Sequence, residues 1–478
     1  MHFHSTVALA IQAILFNVVI AKRQQGSCSI KSGGTNTTDD APAILKAFKQ
    51  CGRNGRVIFE PTTYYVNSVM NISWLENVDI EIHGKLLWST DIPYWLNNSL
   101  DVGYQNQSTA LILGGNNVRI NGYGKGNFDG NGDYWYQWIR KQPNTSNYPG
   151  RPHAVTFDKL TNSAIKGLTF FRSQMWYARL FWSITLGTGL KAVSNLLLNS
   201  HYLAFHKFGL TRAANTDGAD TIRSSHITFN NWTVYNGDDS ISLKANSTDI
   251  AITNSKFYNG LGIAMGSIGQ YKDEFETIER VVAENIQYNN TLHAVSDFLI
   301  QNFIIGDWVT EISSPSSISK PGQMTRMGIH LTGEGADLDI DLKLKFDFRL
   351  GDLLTDLPVA SDMKLKNLTA NGLRGAAFAI SQCTRFSGAP GQGNCTNSEF
   401  QVKNVVIEGL SGTSKSTRVA SLQCSAVAPC TNITISDTTL HLENGTLANG
   451  YLCGNVESST GFECNGTPCV GGSATGEC

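Results

Sequence analysis

The 478-residue chain predicts an all-β fold: a right-handed parallel β-helix (solenoid) with a short N-terminal capping helix. Three observations carry this expectation. Short strand patterns of one kind recur along the chain, and where neighbouring copies are clear their spacing is about 20–25 residues, the period of a solenoid. Each copy begins on a polar residue and alternates, and most are followed by Asn or Gly, as coils with stacked asparagines at the turns would be. Long helical patterns are missing, so parallel strands cannot be joined as βαβ units. A β-sandwich would require more tight hairpin signals than this sequence carries.

The elements follow in order. Residues 1–21 read as a secretory signal, an apolar run ending Val19-Ile20-Ala21 with small residues at the cleavage positions, although no Lys or Arg precedes it. The run is too short for a membrane anchor. Lys22-Arg23 is a candidate dibasic processing site. Asp39-Asp40-Ala41-Pro42 starts a helix, with acidic residues first and Pro in the opening turn. Ile44, Phe48 and Cys51 then share one face. Such a helix covers the open end of a strand stack, which would otherwise invite edge pairing. The strand pattern follows at 77–82, 117–120, 225–229, 248–252, 362–365, 404–407 and 432–435. Two stretches, 178–214 and 296–360, break the rhythm. They read as inserts in a single domain spanning 22–478, or as translated non-coding sequence, since each interrupts strongly patterned flanks.

Export is the expected destination. About a dozen Asn-x-Ser/Thr sequons, among them Asn71, Asn231, Asn246, Asn367 and Asn432, agree with it. So do the ten cysteines, with Cys28 and Cys51 near the start and the other eight at 383–478. They read as disulfide staples at the two ends, with Cys424–Cys430 and Cys464–Cys469 as candidate close pairs. Metal binding by these cysteines is disfavoured, because neither CxxC pairs nor clustered histidines accompany them. A formal net charge of −2 gives no reason to expect nucleic acid as a partner. A monomer is expected.

Asn215-Thr216-Asp217-Gly218-Ala219-Asp220 is followed, one expected coil later, by Asn236-Gly237-Asp238-Asp239-Ser240. One coil apart in sequence means one strand spacing in space, roughly 5 Å. Three carboxylates on one wall suit glycosidic hydrolysis, one as acid and the others to hold and activate water. Alone, either motif is a solvated turn; together they carry the reading. Consecutive residues of a regular strand face opposite ways, so Asp238 and Asp239 can share a cleft only where the strand bends, which Gly237 favours.

Two further runs complete the pattern: Gly260-Leu261-Gly262-Ile263-Ala264-Met265-Gly266-Ser267, and Gly124-Lys125-Gly126-Asn127-Phe128-Asp129-Gly130-Asn131-Gly132 with Trp135. With them the chain resembles glycoside hydrolase family 28, the polygalacturonase and rhamnogalacturonase family, over most of 28–469 outside the two irregular stretches. It is most similar to fungal exo-acting members through Ile241-Ser242-Leu243-Lys244 and Ser425-Ala426-Val427-Ala428-Pro429-Cys430. The resemblance implies that Asp238 is the general acid and that Asp217 and Asp239 hold and deprotonate the attacking water. It implies inversion, with acid and base about 6.5–9.5 Å apart, and neither cofactor nor metal. The implied substrates are pectin oligosaccharides, of homogalacturonan or rhamnogalacturonan, cut from one end with galacturonic acid as first choice. Asn215 and Lys244 are candidate substrate-binding residues, Lys244 having the plainer reading of a surface lysine.

The departures from the family pattern bear on the sugar. Leu261 replaces the usual His between two glycines, and Ser240 stands where a cysteine of a family disulfide is usual, its expected partner being missing too. The Arg-x-Lys that grips a substrate carboxylate would fall in or beside 296–360, where Gly328-Ile329-His330-Leu331-Thr332 is the nearest echo and lacks both cations. An α-L-rhamnosidase-like activity is therefore the nearest alternative. A Ca²⁺-dependent β-helix lyase and a catalytically silent carbohydrate-binding β-helix are the rivals from other classes.

Overall fold

Aliphatic side chains at alternate positions meet their counterparts one coil away. In a computed structural model that describes residues 26–145, 147–176, 178–181, 196–203, 215–269, 275–299, 358–382 and 398–466, Val57 pairs with Ile80, Ile80 with Ile120 and Ile120 with Ile165, all through parallel strands. All four are buried. A second stack runs Val281, Met363, Val405 and Ile433, again parallel and buried. Burying each such side chain contributes about 1.5–3 kcal/mol, and the in-register repeat leaves little room for voids. The chain forms two compact units, Met1–Ala219 with Ser224–Asp238, and Asp220–Arg223 with Asp239–Cys478. The fold is the expected right-handed parallel β-helix.

Asparagines hold the turns. Asn54, Asn77 and Asn117 have φ of 50°, 49° and 53°, a left-handed conformation that Asn tolerates better than most residues. Their amides form a ladder, Asn77 Nδ2 donating to Asn54 Oδ1 at 3.0 Å and Asn117 Nδ2 to Asn77 Oδ1 at 2.7 Å. Asn254, Asn285 and Asn367 repeat the device at 3.2 and 3.3 Å. The alternation of each strand thus restarts in phase after every turn.

Three helices occur among the described residues. The first, α1 (Ala41–Cys51), buries Ala41, Ile44, Ala47, Phe48 and Cys51, the face predicted from spacing. It packs on the strands Gly26–Ile30, Gly55–Phe59 and Met70–Ile82. The acidic pair ahead of it works across coils: Asp40 accepts the Gly33 and Tyr65 N–H groups at 2.7 and 2.8 Å, and Asp39 accepts that of Asn67 at 2.9 Å. The others are α2 (Ile92–Asn98) and α3 (Gly132–Ile139).

Three expectations are corrected. Within 178–214, the strands Ala178–Phe181 and Leu196–Leu203 belong to the ladder, Leu198 pairing with Ile165 and Leu196 with Ile227. Neither Ala178-Arg179-Leu180-Phe181 nor three leucines followed by Asn199-Ser200-His201 alternates over a full strand, so periodicity does not reveal them. The stretch 296–360 likewise narrows, since Val295–Leu299 and Val359–Leu373 are ladder strands. Cys464 pairs with Cys453 rather than Cys469, because the Asn465 N–H donates to the Tyr451 carbonyl at 2.9 Å and lays the tail along Gly450–Gly454. Cys28–Cys51 and Cys424–Cys430 form. Residues 1–25, with the signal and Lys22-Arg23, lie outside the described residues, as do 300–357 with the Gly328–Thr332 echo and Cys383, Cys395, Cys469 and Cys478.

Asn285→Ala is expected to lose both ladder bonds and to force alanine to φ near 58°, costing about 2–4 kcal/mol of unfolding free energy. Asn285→Gly, for which that backbone is unstrained, should lose less in urea unfolding. Equal losses would count against the backbone part of this account.

Candidate active site

Both acidic motifs fold as turns that enter a strand. Asn215-Thr216-Asp217 precedes Ala219–Ile222, and Asn236-Gly237-Asp238 joins Thr233–Tyr235 to Asp239–Leu243. Asn215 takes a left-handed φ of 55°. The turns are tied together directly: the Gly237 N–H donates to Thr216 Oγ1 at 3.1 Å, and Asn236 Nδ2 donates to the Thr216 and Asp238 carbonyls at 3.1 and 2.8 Å. Asp238 lies just outside the strand and Asp239 opens it. The Cα register pairs Asp239 with Gly262 and then shifts before Ile241 meets Ile263. The shift falls after the pair, not at Gly237; because Asp238 lies in the turn and only Asp239 in the strand, the opposite-face rule of a regular strand does not bind the two.

One carboxylate oxygen each of Asp217, Asp238 and Asp239 lies within 4.8 Å of the others. Asp217 is 2 % exposed and Asp239 8 %, with Asp238 more open. This is tighter than the separation expected of an inverting acid and base. It matches a different distance: one water donating to two oxygens at ordinary hydrogen-bond length sets them about 4.5 Å apart. The cluster can therefore seat a water between two carboxylates and present the third to a leaving group. Among the described residues this is the one trio of His, Cys, Asp or Glu so placed, and its hard oxygens would also suit a divalent cation.

Three carboxylates at this distance resist ionising together. Compensation comes from Arg151, which the sequence reading passed over. Its side chain is fully buried, and Nε donates to the Gln174 carbonyl at 2.8 Å. Burial pulls its pKa down to about 10, against the upward pull of Tyr136, Asp217 and Asp238. It stays cationic at neutral pH, and its charge acts on two of the three carboxylates. Arg151 leads into the short strand Pro152–His153, which pairs with Ser108–Thr109. His153 stacks on Trp176 with centroids 4.6 Å apart, and Trp176 Nε1 donates to Asn215 Oδ1 at 2.9 Å. Asn215 Nδ2 in turn donates to Asn147 Oδ1 at 2.9 Å. The amide expected to meet substrate is thus engaged in bracing the turn that carries Asp217.

Lys244 is not a surface lysine. It is 5 % exposed, with Nζ donating to Ser242 Oγ at 3.0 Å and the Gly266 carbonyl at 3.1 Å, and standing 3.4 Å from Oδ1 of the fully buried Asp220. Asp220 closes the Asn215–Asp220 motif, so this internal ion pair anchors the strand that follows the Asp217 turn. Leu261 is half-buried, and its carbonyl accepts the N–H of a histidine one coil on, His293, at 3.0 Å. His293 is fully buried, with Nδ1 2.6 Å from the Ala376 carbonyl. A carbonyl only accepts, so Nδ1 carries the proton. Burial first, and Arg374 less so, pull the imidazole pKa down to about 4.

Two outcomes follow. A histidine lowered from an unfolded value near 6.5 to about 4 stabilises the fold fully above pH 6.5, and that contribution fades as pH falls toward 4, by about 3 kcal/mol. Unfolding measured at pH 7 and pH 4 should therefore show a smaller acid loss for His293→Leu than for the wild type. Lys244→Met strands the Asp220 carboxylate without its cation and is expected to cost about 3–5 kcal/mol. The double variant Lys244→Met/Asp220→Asn should recover much of this in the same assay.

Comparison with known proteins gives the family. Residues 68–296 match the family model Glycosyl hydrolases family 28. The chain is 46% identical over 452 residues to alpha-L-rhamnosidase rgxB of Aspergillus niger, covering 94% of this chain and 92% of that protein. It is 29% identical over 441 residues to exopolygalacturonase X-1 of Emericella nidulans, covering 90% and 86%. Its fold matches the crystal structure of endo-xylogalacturonan hydrolase from Aspergillus tubingensis with a TM-score of 0.65 at 21% identity, covering 93% of this chain and all of that one. The chain belongs to glycosyl hydrolases family 28 and is a pectin-degrading glycoside hydrolase.

Proposed function

We propose that the protein is a secreted, exo-acting α-L-rhamnosidase that removes terminal rhamnose from rhamnogalacturonan oligosaccharides with inversion. Asp238, the most open of the three carboxylates, protonates the departing glycosidic oxygen. Asp217 and Asp239 hold the water and take its proton as it attacks the anomeric carbon from the opposite face. The working unit is one monomeric catalytic domain at 22–478.

The observation that carries the sugar choice is the strand paired beyond Gly262–Ile268. There the chain reads Val295-Ser296-Asp297-Phe298-Leu299, with neither Arg nor Lys to grip a uronate, while Leu261 supplies an apolar surface at the turn before it. Rhamnose, a neutral deoxy sugar with a methyl group, needs no cation from that strand, whereas a uronate would draw on one. The 46% identity to a protein named an alpha-L-rhamnosidase supports the same choice. Release of galacturonic acid, favoured from the sequence motifs alone, is supported by the exopolygalacturonase relative at 29%.

The test is incubation with rhamnogalacturonan oligosaccharides ending in rhamnose and, separately, with oligogalacturonides, with and without EDTA. Chromatography should show free rhamnose from the first only, unchanged by EDTA, and proton NMR should show the β-anomer first. Asp238→Asn is expected to lower the rate about 10²–10⁴-fold. Galacturonic acid as the product, an unsaturated product, or no sugar from either substrate would each overturn the reading.

A further inference from the structure

A cavity of about 460 Å³ opens on the edge of the early coils, away from the carboxylates. It forms where the strands Thr63–Val66 and Lys85–Trp88 and the long strand Leu111–Asp129 end. Alternation sends Tyr64, Leu86 and Trp88 into the core and leaves Tyr65 and Leu87 half-buried. Tyr65 and Leu87 are register partners, so an aromatic ring and an apolar side chain stand one above the other in the cavity wall. Tyr134, on α3, adds a second ring and is 58 % exposed.

Held amides complete the lining. Asn131 Nδ2 donates to the Trp88 carbonyl at 2.7 Å and Asn67 Nδ2 to the Asn36 carbonyl at 3.3 Å, which fixes both side chains before any ligand arrives. The one charged lining residue is Asp91, and Lys, Arg and His are absent from the lining. The volume falls in the range of small-ligand sites, about 300–1,000 Å³. Aromatic faces beside oriented amides suit the C–H face and hydroxyls of a sugar ring. The absence of a lining cation, with a carboxylate at the rim, selects a neutral sugar over a uronate.

The position is as telling as the lining. Register partners run from Leu87 to Asp129, Phe171 and Leu203 on successive coils, and His201 pairs with Thr233, which leads to Asn236 and Asp238. Cavity and acid thus lie on one edge. Three coils separate Asn131 from the Asp238 turn, about 14 Å at the spacing of adjacent strands, a distance that a short oligosaccharide spans.

We propose that this cavity is a second carbohydrate site, which holds a neutral sugar unit of the polysaccharide whose terminal residue is cut at Asp238. It rests on the hydrolase reading only for the identity of the polymer. The test measures binding of a rhamnogalacturonan octasaccharide, and of trigalacturonate, by calorimetry on the full chain carrying Asp238→Asn to prevent turnover. Adding Tyr134→Ala is expected to weaken octasaccharide binding about 5–10-fold, and Tyr134→Phe to restore it. On an otherwise wild-type chain, Tyr134→Ala should leave hydrolysis of 4-nitrophenyl α-L-rhamnoside unchanged, because that substrate does not reach the cavity. Unchanged octasaccharide affinity in Tyr134→Ala would overturn the site, and an equal loss for trigalacturonate would overturn its neutral-sugar class. Failure to hydrolyse the rhamnoside would sink the proposed activity while leaving the binding result intact.

Discussion

Register is the constraint on which everything else depends. A coil that returned one residue out of phase would turn its aliphatic face to solvent and its polar face to the core. The asparagine turns prevent this: a left-handed residue closes each turn at fixed length, and its amide bonds to the same residue one coil away. The stack Val57–Ile80–Ile120–Ile165 is the result. So is the site, because Asp217 and Asp238 stand near one another only if the turns that carry them stay in step. The Gly237–Thr216 and Asn236–Thr216 bonds extend the logic of the ladder into the turns that carry Asp217 and Asp238.

Much of this was legible in the sequence. Alternation and a repeating period gave the coil, and Pro42 with a three-residue apolar face gave the start and the buried side of α1. The paired acidic motifs gave the carboxylate cluster, since a solenoid turns sequence period into spatial neighbourhood. What stayed hidden had no period. Leu196–Leu203 opens on three leucines and continues through Asn199-Ser200-His201, so no alternation marks it. The Cys453–Cys464 bridge depends on how the tail lies along the last coil. Arg151 and His153 reach the site through a long excursion between the strands ending at Asp129 and starting at Val155, and an Arg before a Pro carries no spacing signal. Lys244 was visible but misplaced, because nothing in Ser242-Leu243-Lys244 announces that Asp220 waits inside to receive it.

The site divides its labour between what is repeated and what is particular. The repeated part, backbone turns and strand entries, sets the carboxylates at a distance one water can bridge. The particular part decides what the cluster meets. At the position usually taken by histidine, Leu261 offers only surface, and the histidine one coil away is buried and turned to a backbone carbonyl. The turn that carries residue 261 is tied to the next coil through its backbone carbonyl, so the ladder there does not depend on the side chain at 261.

The two buried cations have a consequence for the medium in which the protein works. Mobile ions weaken interactions between solvent-exposed charges and barely reach buried ones. Surface pairs such as Arg280 with Asp249, 49 % and 31 % exposed, lose strength as salt accumulates. The buried charges Arg151 and Asp217, and Lys244 beside Asp220, are out of reach of that screening. The interior thus supplies these groups with a field that brine and fresh water leave alike.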